Sequence, residues 1–189
     1  MITSTSSSQV KHVVNLQKKA KLRKEEKQFV VEGVKMVSEA PADRLVKVYV
    51  SETFKADNEE FLERMNYDSI GKDVLEIVTD NVFMRMADTQ TPQGIMAVVR
   101  MSDTDLEGIL SDKHNPLLLI IENLQDPGNL GTIVRMAEGA GVTGIIMSSN
   151  TVDIYNPKTI RSTMGSLYRV PVIYVDDICA VSYTHLRAH

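Results

Sequence analysis

The stretch Leu117-Leu-Leu-Ile-Ile-Glu-Asn-Leu-Gln-Asp-Pro-Gly-Asn-Leu-Gly-Thr-Ile-Val-Arg135 decides how this chain is read. Five consecutive aliphatic residues, Leu117 to Ile121, predict a strand buried on both faces, the pattern of a parallel sheet covered by helices. Asp126-Pro-Gly-Asn129 predicts a tight turn, because Pro127 suits a φ of about −65° and Gly128 suits a positive φ. Asn129 is then the expected N-cap of a helix over Leu130 to Ala140. Such a strand, turn and helix start place amide donors and one fixed cation, Arg135, at the carboxyl edge of a sheet. Open α/β folds bind ligands and phosphates at that edge.

Downstream, the pattern predicts a strand over Gly144 to Met147, a helix over Pro157 to Met164 and a strand over Val170 to Val175. This βαβαβ order calls for right-handed crossovers in a doubly wound parallel sheet. Asn156-Pro-Lys-Thr-Ile-Arg161 supplies a cap, a proline suited to the first helical position, and two cations one turn apart. Lys158 and Arg161 add positive charge near a helix end that already favours anions. Each residue also has a plainer role: Asn129 as a cap, and Arg135 as a partner for Glu138 at i, i+3.

Upstream, the spacing of Val10, Val13, Val14, Leu16 and Ala20 predicts a helix over Ser8 to Glu26. Phe29-Val30-Val31 precedes Gly33 and a helical stretch, Val34 to Glu39. Strands are predicted over Leu45 to Val50, Leu75 to Val78 and Gln93 to Val99, with helices over Asn58 to Asn66 and Asp80 to Ala87. That is an α/β unit of ordinary domain size over residues 1–101, followed by a linker over 102–116 and the second unit over 117–180.

Composition excludes several classes. At 43% hydrophobic and 24% charged, the chain matches a globular protein. No aliphatic run approaches the ~20 residues needed to span a membrane, and the Ser/Thr-rich start has no apolar signal core. One cysteine, Cys179, rules out an internal disulfide framework and any cysteine-based zinc site, so a reducing cytoplasm is the natural reading. No metal site is expected: His185 and His189 lack a third ligand. The net charge of −4 is uneven: residues 1–35 carry eight Lys/Arg against three acids, a local +5, leaving −9 for the rest. The cluster Lys18, Lys19, Lys21, Arg23 and Lys24 points to a polyanion partner, a solvated helix face being the alternative. No aromatics are interleaved with these cations, so base stacking by this helix is not expected.

The blocks Glu122-Asn-Leu-Gln-Asp-Pro-Gly-Asn-Leu-Gly-Thr-Ile-Val-Arg135 and Asn156-Pro-Lys-Thr-Ile-Arg-Ser-Thr-Met-Gly-Ser-Leu-Tyr-Arg-Val-Pro171 resemble the SpoU (TrmH-type) RNA 2′-O-ribose methyltransferases. The resemblance covers about residues 3–178. It implies methyl transfer from S-adenosylmethionine to a ribose 2′-hydroxyl of ribosomal or transfer RNA. It also implies a small RNA-binding first domain related to a ribosomal-protein fold, and a second domain of the trefoil-knot type. The family's active-site Asn and Arg fall on Asn129 and Arg135. An Arg side chain stays protonated, so Arg135 is expected to hold the phosphate and steady a developing alkoxide rather than act as a base.

The family's Gly-x-Glu loop and Ser-Leu-Asn-x-Ser segment, which supply most of the donor pocket and the knot, have no counterpart here, so no donor-binding residues are assigned. Val181 to His189 reads as a non-native tail resembling adapter read-through. The expectation is a C-terminally incomplete second domain, inactive as it stands, with an unpaired sheet edge. Family members pair through the knotted region, so dimerisation is not expected of these residues. Two other readings compete: a non-catalytic RNA-binding protein, and a small-molecule nucleotide enzyme. Against the latter, the turn has no Gly-x-Gly-x-x-Gly, and no acidic residue follows Ile145-Ile-Met147 to meet a ribose.

Overall fold

A computed structural model describes residues 1–65, 74–111 and 116–180. The last residue of the expected helix 58–66, residues 112–115 of the expected linker and the tail 181–189 lie outside them. The chain divides into two compact units, Met1–Met101 and Ser102–His189. No helix among the described residues is long and apolar enough to cross a membrane.

The first unit opens with α1 (Ser8–Lys18) and α2 (Ala20–Glu26), not one helix, because Lys19 is extended. That break lets Arg23 reach back and donate through Nη1 to the carbonyls of Leu16 and Gln17, at 2.7 and 2.9 Å. These are carbonyls that the end of α1 leaves without helical partners. Then follow β1 (Gln28–Glu32), α3 (Val34–Ser38), β2 (Leu45–Ser51), α4 (Glu52–Asp57), α5 (Glu59–Arg64), β3 (Leu75–Val78), α6 (Asp80–Met86) and β4 (Ile95–Arg100).

The sheet runs β1-β4-β2-β3, with β2 and β3 parallel and the other pairs antiparallel. Five of the six residues of β4 are buried, so both faces of the central strand are covered. On one face Val10, Val13 and Leu16 of α1 join Val82, Phe83 and Met86 of α6 over Val30, Met96 and Val98. This is the helical period of α1 meeting the alternation of the strands.

The second unit contains α7 (Leu106–Ser111), β5 (Leu118–Ile121), α8 (Pro127–Gly139), β6 (Gly144–Ser148), α9 (Pro157–Thr163) and β7 (Val172–Val175). Helix α7 lies where a linker was expected, and its Ile109 packs against Gly144 at the start of β6. The sheet is parallel in the order β5-β6-β7. Every residue of β6 is buried, as a central strand requires.

Strand β5, whose aliphatic run alone suggests burial on both faces, carries the unpaired edge and uncovered aliphatic face expected of the second unit. Leu117 is 53% and Ile120 44% exposed, because among the described residues β5 is an edge strand with one neighbour. The strands add in sequence order and in one direction, so crossovers of the same hand put α8 and α9 on one face. There they pack on each other at Gly131, where no side chain would fit.

Candidate active site at the carboxyl edge of the parallel sheet

The loop after β5 is built by backbone strain and hydroxyl bridges. Asn123 takes a φ of 54°, a left-handed conformation that Asn tolerates better than most residues. Its N–H donates to Ser148 Oγ at 2.9 Å, at the end of β6. Ser148 Oγ and Thr151 Oγ1 are 3.0 Å apart, and the Val152 N–H donates to the Leu124 carbonyl at 2.8 Å. Gln125 Nε2 donates to the carbonyls of Asn123 and Asn150. The loop after β5 is thereby fastened to the loop after β6 before the helix begins.

The turn geometry differs from expectation. Gly128 does not take a positive φ, and α8 starts at Pro127, with Asp126 rather than Asn129 as its cap. The Asp126 carboxylate accepts from the Asn129 N–H at 2.7 Å. A carboxylate at this position also complements the helix dipole, which a neutral Asn would do less well. Asn129 is therefore the third helical residue, with an exposed side chain.

Arg135 lies six residues on, about 9 Å along the axis and about 120° around it. The two do not share one helix face. Side chains on a helix lean toward its N-terminus, so the long Arg135 side chain extends back in the direction of Asn129. The expected Arg135–Glu138 pair does not form. Glu138 is taken by Arg169, whose Nε and Nη2 donate to its two carboxylate oxygens. Arg135 is exposed and makes no ion pair among the described residues.

Asn156 caps α9 as expected: its Oδ1 accepts from the Lys158 N–H at 3.0 Å, with Pro157 first in the helix. The close approach of α8 and α9 carries Lys158 to the start of α8. Its Cε stands 4.0 Å from where a Cβ on Gly128 would lie, while Asp126 Oδ1 stands 3.1 Å from the same point. Lys158 is exposed, whereas Arg161 is half-buried. Tyr174 of β7 braces the same edge: its hydroxyl accepts from the Ile154 N–H and donates to the Val152 carbonyl. Sequence reasoning missed Asp126, Ser148 and Tyr174. The Asp126-Pro127 pair was the available signal for the cap, since Asp caps and Pro begins helices.

The basic cluster separates into two kinds of residue. Lys18, Lys19, Lys21 and Lys24 are exposed, but Arg23 is 3% exposed and committed to the carbonyls of α1. Arg23, expected on the RNA-facing surface, belongs to the packing of the first unit. Among the described residues no group of three His, Cys, Asp or Glu is placed to hold a metal ion.

The Asn129 carboxamide and the Lys158 ammonium thus lie at the start of α8, beyond the carboxyl edge of the parallel sheet, and Arg135 follows further along the same helix. Residues 7–97 match the family described as the MRM3-like substrate binding domain, and residues 116–185 match the SpoU rRNA Methylase family. The second unit thus matches the SpoU family over most of its length, and the first matches a substrate-binding domain. It is 32% identical over 170 residues to the human mitochondrial rRNA methyltransferase 3, covering 85% of this chain and 38% of that protein. It is 36% identical over 110 residues to the Bacillus subtilis 23S rRNA (guanosine(2553)-2′-O)-methyltransferase RlmP, covering 55% of this chain and 42% of that protein. An AdoMet-bound rRNA methyltransferase from Sinorhizobium meliloti shares the fold, with a TM-score of 0.80 at 24% identity over 97% of this chain and 68% of that one. The chain spans about two fifths of the length of the curated relatives it matches.

Proposed function

We propose that this chain belongs to an enzyme that transfers a methyl group from S-adenosylmethionine to a ribose 2′-hydroxyl of ribosomal RNA. The observation that supports the reading is the approach of Lys158 to the Asp126-capped start of α8, the helix that also carries Asn129 and Arg135. In this reading the Arg135 guanidinium grips the phosphate beside the target ribose and steadies the alkoxide as the hydroxyl gives up its proton. Lys158 adds a point charge on the same phosphate run. Asn129 offers its carboxamide to the sugar, while its backbone N–H stays on Asp126. The donor supplies the methyl group when bound, and no residue of this chain is assigned to hold it.

The first unit would carry the RNA. Lys18, Lys19, Lys21 and Lys24 form an exposed cationic stripe on α1 and α2, suited to a phosphate backbone without base readout. The proposed location is the cytoplasm, on the strength of a single free cysteine.

The test is transfer of labelled methyl from S-adenosylmethionine to ribosomal RNA, read as resistance of the modified linkage to alkaline cleavage. The whole enzyme that carries this chain should give one resistant site, and the 189 residues alone none. Arg135→Ala should lose about a hundredfold or more in rate, in keeping with removal of a donor aimed at developing charge. Methylation on a base, or an Arg135→Lys variant with wild-type turnover, would overturn the assignment.

A further inference from the structure

We propose that Arg44 and Arg100, neighbours at the end of the first unit's sheet where β2 begins and β4 ends, share one phosphate of the RNA backbone. The nature of the polymer rests on the functional reading above. Strands β2 and β4 pair antiparallel with Leu45 opposite Val99, which sets Arg44 opposite Arg100. Each guanidinium reaches the main chain of the other's segment. Arg44 Nε donates to the Arg100 carbonyl at 2.9 Å, and Arg100 Nη1 donates to the Asp43 carbonyl at 3.4 Å. Neither arginine forms an ion pair among the described residues. Asp43, itself exposed, offers Arg100 its carbonyl rather than its carboxylate.

That arrangement is unfavourable without a counter-ion. Like charges directly opposite on neighbouring strands repel. Arg44 is half-buried, and its Nη2 is buried with no hydrogen-bond partner, so its charge is partly out of water and not neutralised. Such a charge attracts an anion more strongly than a fully solvated lysine does. Bracing the chain here needs a single donor, and Arg44 Nε supplies it. A guanidinium has more N–H donors than the one that each arginine spends on a carbonyl. The exposed Arg100 therefore has a fork to offer, and a phosphodiester has two free oxygens that match a fork.

The surroundings favour a polynucleotide over a free oxyanion. Gln28 of β1 pairs with Arg100, and the Lys27 carbonyl accepts from the Met101 N–H, so α2 runs directly into this end of the sheet. Lys24, in the last turn of α2, and Lys27 are both exposed. The lysines give diffuse attraction along a backbone, while the arginine pair is a fixed point that sets where the backbone lies.

The test is the binding of a single-stranded RNA oligonucleotide to the whole enzyme that carries this chain, over a salt series and without methyl donor. Arg100→Gln, at an exposed position, should weaken binding by about tenfold and reduce the salt slope by about 0.7. It should melt no lower than wild type, because it removes one of two facing charges. Arg44→Gln should reduce the slope equally, and the double variant should lose no more than either single one, since one phosphate is shared. Arg100→Lys should keep the slope and weaken binding by about threefold, through loss of the fork. Inorganic phosphate should displace the RNA only at millimolar concentration. An unchanged slope in Arg100→Gln, a lower melting temperature in that variant, additive losses in the double variant, or inorganic phosphate binding as tightly as RNA would overturn the proposal. None of these readouts involves methyl transfer. Arginine effects as described with no transfer would refute the functional reading alone, and transfer to ribosomal RNA with an unchanged Arg100→Gln slope would refute this site alone.

Discussion

Gly131 and Gly139 lie on the same helix, yet replacing each with alanine should change stability in opposite directions. A Cβ on Gly131 would stand 2.3 Å from Ser162 Cβ, 2.8 Å from the Thr159 carbonyl oxygen and 2.9 Å from the Ser162 carbonyl carbon. Two of those three atoms are backbone, so no rotamer change relieves the clash. Carbon atoms prefer a separation of roughly 3.5–4.0 Å, so α9 must move away from α8 by about an ångström. Overpacking of this severity costs about 3 kcal/mol. Alanine in place of a helical glycine returns about 1 kcal/mol, for a net loss of about 2 kcal/mol. In a unit of under a hundred residues this lowers Tm by about 8–16 °C. A Cβ on Gly139 meets nothing within 4 Å, so Gly139→Ala should gain up to about 1 kcal/mol. Circular dichroism or calorimetric melts of both variants against wild type would measure the pair. The displaced helix carries Lys158, so Gly131→Ala should also lose activity at temperatures where it is still folded. A Gly131→Ala protein as stable as wild type would show that α8 and α9 are not packed as described.

Two further outcomes follow from the first unit. Arg23→Met leaves the carbonyls of Leu16 and Gln17 without their buried donor and should cost about 2–3 kcal/mol, whereas Lys24→Met should stay within about 0.5 kcal/mol. In RNA binding the order reverses: Lys24→Met should reduce the salt slope by roughly 0.7–0.9 and Arg23→Met should not, and a slope that falls only for Arg23→Met would refute the division. Tyr49 is pushed up from 10.0 to about 12, by burial and then by the nearby Glu76 carboxylate. A raised folded-state pKa gives stability that is complete below pH 10 and is lost as pH rises toward 12. The phenolate absorbance difference between wild type and Tyr49→Phe should therefore have its midpoint at about 12, and a midpoint at 10 would contradict the buried placement.

Much of the fold was legible because period and composition agree with position. Val10, Val13 and Leu16 predicted the buried face of α1, and Gly144 to Met147 predicted the covered central strand. What was not legible depended on partners far along the chain. Leu117 to Ile121 reads as doubly buried, but only the neighbour count of β5 decides whether Ile120 meets a helix or solvent. Arg23 looked like one more cation in a run of lysines. Its burial depends on the extended Lys19, and no Gly or Pro marks that break.

The two residues singled out for chemistry owe their availability to neighbours that took over their structural duties. An Asn at the start of a helix ordinarily spends its side chain on capping. Here Asp126 caps and receives the Asn129 N–H, so the Asn129 carboxamide is exposed to solvent. An Arg three residues before a Glu on one helix ordinarily pairs with it. Here Arg169, at the end of the turn that follows α9, engages both Glu138 oxygens, and Arg135 is left without an ion pair among the described residues. Neither substitution of roles adds much stability at an exposed surface, where such pairs contribute about a kcal/mol or less. What each does is leave a hydrogen-bonding group on α8 with no partner among the described residues. Removing the substitutes is therefore as informative as removing the residues themselves. With Asp126→Ala the Asn129 N–H loses its acceptor and α8 its cap, and transfer should fall although both Asn129 and Arg135 are still present.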